Sequence, residues 1–187
     1  MDEPLPSWRP LTRRIAAFAD EPGRCNVVIE TPRGSRNKYD YDEDLGLFVL
    51  AGVLPAGAVF PFDFGFVPST LGEDGDPLDV LVLLDESAFT GCLVEARLVG
   101  VIEAKQTERD GETVRNDRLI AVAADSYNHE GVDDLKQVPE SFLKEVEHFF
   151  VSYNEIKGKR FEPLGRSGAG RARELVREGM ARLRVER

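Results

Sequence analysis

Cysteine is scarce in this chain of 187 residues, where only Cys25 and Cys92 occur. Two thiols are too few for a disulfide framework or for a zinc site built on cysteines. Long apolar runs are missing as well, because no stretch approaches the roughly 20 apolar residues of a membrane-spanning helix. The first ten residues lack the basic start and the apolar run of a secretory signal. We therefore expect a cytoplasmic protein without a membrane partner.

Basic residues are outnumbered, with 24 Lys and Arg against 34 Asp and Glu, so the formal net charge is −10. Non-specific nucleic-acid binding depends on Lys and Arg replacing counterions, and an acidic protein repels phosphate backbones. We expect no nucleic-acid partner, although an acidic protein can still hold phosphate through metal ions. The content of 42% hydrophobic and 31% charged residues is typical of a globular protein. No linker or repeat divides the chain, which predicts one domain over residues 1–187.

Apolar periodicity predicts a β-rich first two thirds and a helical last third. Short runs rich in Val, Ile, Leu or Phe, separated by Gly, Pro, Asp and Asn, are typical of the strands of a barrel or sandwich. These runs are Cys25–Glu30, Tyr39–Asp42, Leu47–Leu54, Asp79–Leu84, Leu93–Ala104 and Leu119–Ala124. Apolar residues three and four apart then predict a helix that begins near Pro139 and another from Ala172 to the C-terminus. The glycine-rich segment Gly165–Gly170 is interpreted as a flexible lead-in to the second helix.

Carboxylate side chains are most concentrated in an acidic turn that precedes an apolar strand. Asp74, Asp76 and Asp79 stand at positions i, i+2 and i+5, with Gly75 and Pro77 between them. Glycine permits tight backbone geometry and proline extends the residue before it, so the three carboxylates can converge. Like charges held that close are costly unless a hard cation with oxygen ligands cancels them. A metal site is therefore predicted, with a solvated acidic turn as the alternative.

Two other segments support a polar cleft. Glu30 ends a predicted strand, and Lys38 and Asp40 share one face of the next. The alternative is a hairpin with a charged solvent side. The aromatic run Phe60–Pro68 could form the wall of the cleft, although core packing alone would account for it equally well.

Together these motifs resemble the soluble family I inorganic pyrophosphatases. The family signature Asp-x-Asp-Pro-x-Asp stands here at residues 74–79, and the similarity runs from about Val27 to Lys159. The resemblance implies a mainly β fold with helices, in which an OB-like five-stranded β-barrel has helices packed outside it, one of them C-terminal. It also implies hydrolysis of pyrophosphate to two phosphates with Mg²⁺ as the cofactor, or Mn²⁺, and a homo-oligomer with a hexamer favoured.

The resemblance assigns roles to particular positions. Asp76 matches the base that orients the attacking water. The predicted metal ligands are Asp74, Asp79, Glu30, Asp40 and Asn116, and the predicted phosphate-binding residues are Lys38, Arg118 and Tyr153.

Several positions depart from the family pattern, which makes this a divergent member. Neutral side chains replace an arginine, two tyrosines, a metal-binding aspartate and a lysine, at Gly52, Phe60, Phe64, Asn116 and Asn154 respectively. Asp117 could have taken over the ligand role of Asn116 through a local bulge. A further acidic ligand has three candidates, Glu108, Asp110 and Glu112. We expect slow turnover; the alternatives are a hydrolase of another diphosphate and a regulatory protein that binds magnesium and phosphate. An OB-type nucleic-acid binder is a third, which the acidic charge disfavours.

Overall fold

The computed structural model describes residues 10–19 and 23–185. The N-terminal residues 1–9, where the sequence predicts no secretory signal, lie outside this part of the chain. In chain order the elements are α1 (Leu11–Arg14), β1 (Arg24–Thr31), β2 (Asn37–Asp42), β3 (Leu47–Val53), β4 (Asp63–Val67), β5 (Leu78–Leu83), β6 (Leu93–Thr107), β7 (Thr113–Arg115), β8 (Arg118–Ala123), a 3₁₀ turn (Leu135–Gln137), α2 (Glu140–Ile156), β9 (Arg160–Gly168) and α3 (Ala169–Val185).

Five of the strands form a closed ring. Strand β1 pairs antiparallel with both β4 and β6, β4 pairs with β5, β5 runs parallel to β8, and β8 returns to β6. This closure confirms the predicted five-stranded barrel with helices outside it. The long β6 extends beyond the ring and also pairs with β7 and β9, while β2 and β3 form a separate hairpin.

Successive residues of β5 and β8 face opposite apolar clusters, so these two strands are buried on both sides. In β5, Val80 and Val82 belong to one cluster, which gathers residues from all five ring strands and from α3. Leu81 and Leu83 belong to the other, which includes the apolar face of α2. Both helices begin where the sequence predicts them, α2 directly after Pro139 and α3 shortly before Ala172.

The sequence interpretation was wrong at one segment and incomplete at two. Gly165 to Gly168 form the end of β9 rather than a flexible lead-in, because they pair with β6. Strand β4 lies inside the aromatic run that was interpreted only as a cleft wall or core segment. There Gly65 passes so close to β1 that a Cβ would lie 2.0 Å from the carbonyl oxygen of Val28, so only glycine fits. Strand β7 was not predicted either.

None of the helices in the described ranges is long and apolar enough to cross a membrane.

Candidate active site

All of the predicted site residues line one cleft with a volume of about 890 Å³. The barrel contributes β1, β5 and β8, the hairpin contributes β2, and α2 contributes its C-terminal turn. The residues come from sequence positions 30 to 153, so the fold brings together segments that are distant in the chain. Their common location agrees with the predicted cleft, and the roles of individual residues stay predictions.

The acidic turn connects β4 to β5 at one end of this cleft. Gly75 adopts a φ of 89°, in the left-handed region that favours glycine. The amide of Gly72 donates to the carbonyl of Asp76 at 2.6 Å, and the amide of Asp76 donates to Oδ1 of Asp74 at 3.3 Å. These bonds close the turn and hold its carboxylates beside Asp79, the second residue of β5.

Negative charge is crowded in the turn. Burial, followed by the neighbouring Asp79 and Asp76, raises the pKa of Asp74 to about 6. Partial desolvation by the cleft, followed by the charges of Asp79 and Asp40, also raises the pKa of Asp76, although its side chain reaches solvent. For Asp79 burial again raises the pKa, while Arg118 and Lys38 oppose it. The turn therefore favours added protons or added cations.

A second charged group lies where β1 meets the hairpin. The buried Lys38 Nζ lies 3.5 Å from Oε2 of Glu30 and pairs closely with Asp40. Burial raises the pKa of Glu30 to about 7, although Lys38 opposes the shift, and Oε1 of Glu30 accepts a 2.9 Å hydrogen bond from the amide of Tyr41. Burial alone would lower the pKa of Lys38, but Glu30 and Asp40 outweigh it and the pKa is raised. Nζ of Lys38 lies over the ring of Phe64, 4.9 Å from the ring centroid.

Arg118 enters the cleft from β8 on the opposite side. Its Nη1 lies 2.7 Å from Oδ2 of Asp79 and also donates to the side-chain oxygen of Asn116. The guanidinium lies over the rings of Phe150 and Phe161, at 4.8 and 5.2 Å from their centroids. Cation–π contacts of this kind hold a buried cation in place without removing its charge.

Asp117, the alternative ligand, faces away from the cleft. Its Oδ1 accepts hydrogen bonds from the amide of Ala104 at 2.8 Å and from Nε of Arg115 at 2.6 Å. Asn116 lines the cleft, whereas Asp117 lines a smaller neighbouring pocket that Asp74 and Asp79 also border. These two hydrogen bonds disfavour the alternative in which a bulge turns Asp117 into the ligand position.

Aromatic side chains form the wall between the two charged groups. Tyr153 stacks on Phe149 with ring centroids 5.7 Å apart, and Nζ of Lys157 lies 4.4 Å from the tyrosine ring centroid. The Tyr153 hydroxyl is buried and has no hydrogen-bond partner among the described residues. Phe60 and Phe64 are buried as well, so the aromatic run serves both as core and as cleft wall.

The sequence revealed only part of a polar group at the far rim. Gln106 donates to Glu108 at 2.6 Å, and Lys159 pairs with the same carboxylate at 2.7 Å. Of the three candidate acids in this region, Glu108 and Glu112 line the cleft and Asp110 does not. Lys159 carried a sequence signal, because it ends the region of family resemblance, whereas Gln106 on β6 carried none.

The oxygen donors of the cleft suit a hard divalent cation. Within residues 10–19 and 23–185, no three His, Cys, Asp or Glu side chains are grouped so that they could hold a metal ion by themselves. Lys38 and Arg118 pair with the carboxylates instead. The charge crowding around Asp74 nevertheless means that a cation would stabilise the turn, so the donor set fits a metal ion.

Comparison with known proteins identifies the relatives of this chain. The protein-family model described as inorganic pyrophosphatase matches residues 27–184. The chain belongs to the inorganic pyrophosphatase family. The chain is 42% identical to the inorganic pyrophosphatase of Thermus thermophilus over 164 residues, which are 86% of this chain and 91% of that protein. It is 36% identical to the inorganic pyrophosphatase of Haloferax volcanii over 160 residues, 85% of this chain and 88% of that protein.

Solved structures of inorganic pyrophosphatases share the fold. The structure of the Thermus thermophilus enzyme matches with a TM-score of 0.85 and 38% identity, and covers 93% of this chain and 98% of that one. The structure from Neisseria gonorrhoeae matches with a TM-score of 0.84 and 30% identity, and covers 93% of this chain and 99% of that one. Family I pyrophosphatases are metal-dependent, in agreement with the oxygen-rich cleft.

Proposed function

We propose that this protein hydrolyses inorganic pyrophosphate to two phosphates, with Mg²⁺ as the cofactor and Mn²⁺ as a substitute. The proposal rests on one observation. The carboxylates of the acidic turn favour a bound cation, and side chains that can donate hydrogen bonds to phosphate line the same cleft. A polyanion that arrives with metal ions would satisfy both sides at once. Family membership supports the same reaction.

The metal ligands that we propose are Asp74, Asp79, Glu30 and Asp40. When bound, the ions supply charge neutralisation for the polyanion and lower the pKa of the attacking water. Asn116 lies at the same end of the cleft, but its side-chain oxygen already accepts a hydrogen bond from Arg118.

Asp76 is the proposed general base. It lies on the exposed side of the acidic turn, and within the described residues its carboxylate accepts no hydrogen bond, so both oxygens are available to a water molecule. A carboxylate in that position accepts the proton of the water as it attacks phosphorus. The turn, closed by the bond between Gly72 and Asp76, keeps this carboxylate in place.

Lys38, Arg118 and Tyr153 are the proposed phosphate-binding groups. Lys38 and Arg118 are positively charged and buried at two sides of the cleft, and the Tyr153 hydroxyl is a buried donor without a partner in the described part of the chain. Charged donors strengthen hydrogen bonds to phosphate oxygens and spread the negative charge that develops on the leaving group.

The cleft has fewer hydrogen-bond donors for phosphate than the family pattern supplies. Gly52 pairs with Lys38 across the hairpin, and no atom lies within 4 Å of the place where a side chain at position 52 would begin. Phe60 and Phe64 add no hydroxyl to the wall. These positions favour slow turnover, or a different diphosphate, or a regulatory role in binding magnesium and phosphate.

The test is phosphate release from pyrophosphate with and without Mg²⁺, beside the same assay with nucleoside diphosphates. Asp76→Asn should lower kcat by about 10²- to 10⁴-fold, because the base acts in the transition state. Glu145→Gln, an exposed charge change on α2, should leave kcat unchanged. Wild-type turnover in Asp76→Asn would exclude the assigned base, and preference for another diphosphate would exclude pyrophosphate as the substrate.

The wider setting is also a proposal. We place the protein in the cytoplasm as a single domain that assembles into a homo-oligomer, a hexamer by preference. The two free cysteines and the net charge of −10 support a reducing compartment and the absence of a nucleic-acid partner.

A further inference from the structure

One nitrogen of Arg118 is surrounded by oxygen atoms in the way that a bound cation would be. Nη1 contacts Oδ2 of Asp79 at 2.7 Å, the main-chain oxygen of Asn116 at 3.2 Å and that of Asp117 at 3.1 Å. It also donates to the side-chain oxygen of Asn116. A carboxylate, an amide oxygen and two carbonyls form the kind of oxygen set that binds hard cations in proteins.

The guanidinium is held firmly in this place. Its side chain is only 5% exposed and lies against the rings of Phe150 and Phe161. Because this positive charge is covalently attached to the chain, a metal ion from solution would have to displace the guanidinium to reach these oxygen atoms.

The charges of the two side-chain ligands fit a monovalent occupant. Asp79 alone balances one guanidinium, and the amide of Asn116 adds an oxygen without adding charge. Oδ1 of Asp79 has no hydrogen-bond partner in the described chain, so Asp79 can still offer one oxygen to a metal ion.

We propose that the guanidinium of Arg118 occupies a cation position between Asp79 and Asn116, so that the chain binds one divalent cation fewer than its oxygen atoms could hold. Asn116 is then a ligand of Arg118 and not of a metal ion. The proposal rests on the proposed function only in its assumption that the remaining carboxylates bind metal. An ordinary structural salt bridge is the competing explanation, and it makes different predictions for metal binding.

The test counts metal ions on the metal-free, full-length protein by calorimetric titration with Mn²⁺ and by the electron paramagnetic resonance signal of free Mn²⁺. Arg118→Gln should gain one Mn²⁺ site per chain, because the oxygen atoms lose their tethered cation. Arg118→Lys, which keeps a positive charge, should gain none. Equal Mn²⁺ counts in wild type and in a folded Arg118→Gln variant would overturn the proposal.

Asn116→Asp gives an answer even if Arg118→Gln fails to fold. With Arg118 in place, the new carboxylate should pair with the guanidinium, so the Mn²⁺ count should not rise and the affinity should change by less than about threefold. A roughly tenfold or larger gain in Mn²⁺ affinity would mean that a metal ion, and not Arg118, occupies the position. Pyrophosphate hydrolysis by the wild type is assayed separately. Its absence would contradict the proposed function and leave the Mn²⁺ counts to decide this inference.

Discussion

The amide of Leu71 donates a 3.1 Å hydrogen bond to the carbonyl of Gly179, which ties the C-terminal helix α3 to the chain that leads into the acidic turn. Arg182, one turn later on α3, donates to the carbonyl of Leu71. These two hydrogen bonds hold α3 against the segment that leads into the acidic turn. The residues that carry the chemistry are held by an element that contributes none of them.

Gly179 should tolerate no larger side chain. A Cβ there would lie 2.9 Å from Cδ1 of Leu78, 3.1 Å from Cβ of Thr70 and 3.3 Å from the carbonyl oxygen of Leu71, so Gly179→Val crowds the contact between the helix and the chain that leads into the turn. We expect a loss of about 1–3 kcal/mol in the free energy of unfolding and a lower kcat. Gly170→Val on the same helix, where a Cβ meets nothing within 4 Å, controls for helix propensity. Equal losses in both variants, measured by urea unfolding, would contradict this role of α3.

Asp74 should contribute directly to metal affinity. Among residues 10–19 and 23–185 it has no ion-pair partner, so Asp74→Asn removes a charged ligand without leaving a described cation unpaired, which Asp79→Asn would not achieve. We expect Mg²⁺ to bind roughly tenfold more weakly by calorimetry, because an amide replaces a carboxylate. The neighbouring exposed Glu73→Gln should change the affinity by less than about twofold. Unchanged affinity in Asp74→Asn would remove this residue from the ligand set.

Tyr153→Phe should separate binding from stability. A buried hydroxyl without a partner costs free energy, so its removal should leave the protein as stable as wild type or up to about 1 kcal/mol more stable. If the hydroxyl donates to substrate, KM for pyrophosphate should rise roughly tenfold. Thermal unfolding and steady-state kinetics give the two values. An unchanged KM would show that the hydroxyl does not bind phosphate.

The two cysteines should differ in reactivity. Cys25 is buried on β1, and burial raises its pKa to about 12, while Cys92 is partly exposed. Iodoacetamide at pH 8 should therefore modify only Cys92 in the native protein, and both thiols after unfolding. Peptide mass spectrometry locates the label, and Cys92→Ser should leave the native protein unlabelled. Rapid labelling of native Cys25 would contradict its burial.

The same pKa shift predicts a pH dependence of stability. Native Cys25 keeps its proton up to about pH 12, whereas the unfolded thiol loses its proton near pH 8.5. The contribution of Cys25 to the free energy of unfolding is complete below about pH 8.5 and is lost as the pH rises from there. The difference in stability between wild type and Cys25→Ala should therefore shrink above pH 9. A constant difference up to pH 11 would be inconsistent with the shift.

The chain should form a homo-oligomer. Leu45, Leu47, Leu50 and Val53 are exposed on and beside the hairpin, where a partner subunit could cover them. Sedimentation equilibrium should show a mass several times the 20.8 kDa of one chain. A monomer at micromolar concentration would contradict the prediction.

The sequence by itself determined the features whose residues lie close together in the chain. The acidic turn, the two long helices and four of the five ring strands depend on local spacing, and each was predicted from it; β4 was not, because its residues lie in the aromatic run. Most of the charged residues that share the cleft were also predictable, because the segments of family resemblance carried their own motifs; Gln106 on β6 was not.

Only the tertiary structure decided which side chains meet. Arg118 reaches Asp79 because β5 and β8 run parallel with Val80 opposite Leu119, a register that no local pattern specifies. Residues 165–168 form a strand because their backbone groups pair with those of β6. The orientation of Asp117 away from the cleft likewise depends on the amide of Ala104 on β6. These outcomes rest on pairing between distant strands, whose free energy comes from contacts that form only once the chain has folded.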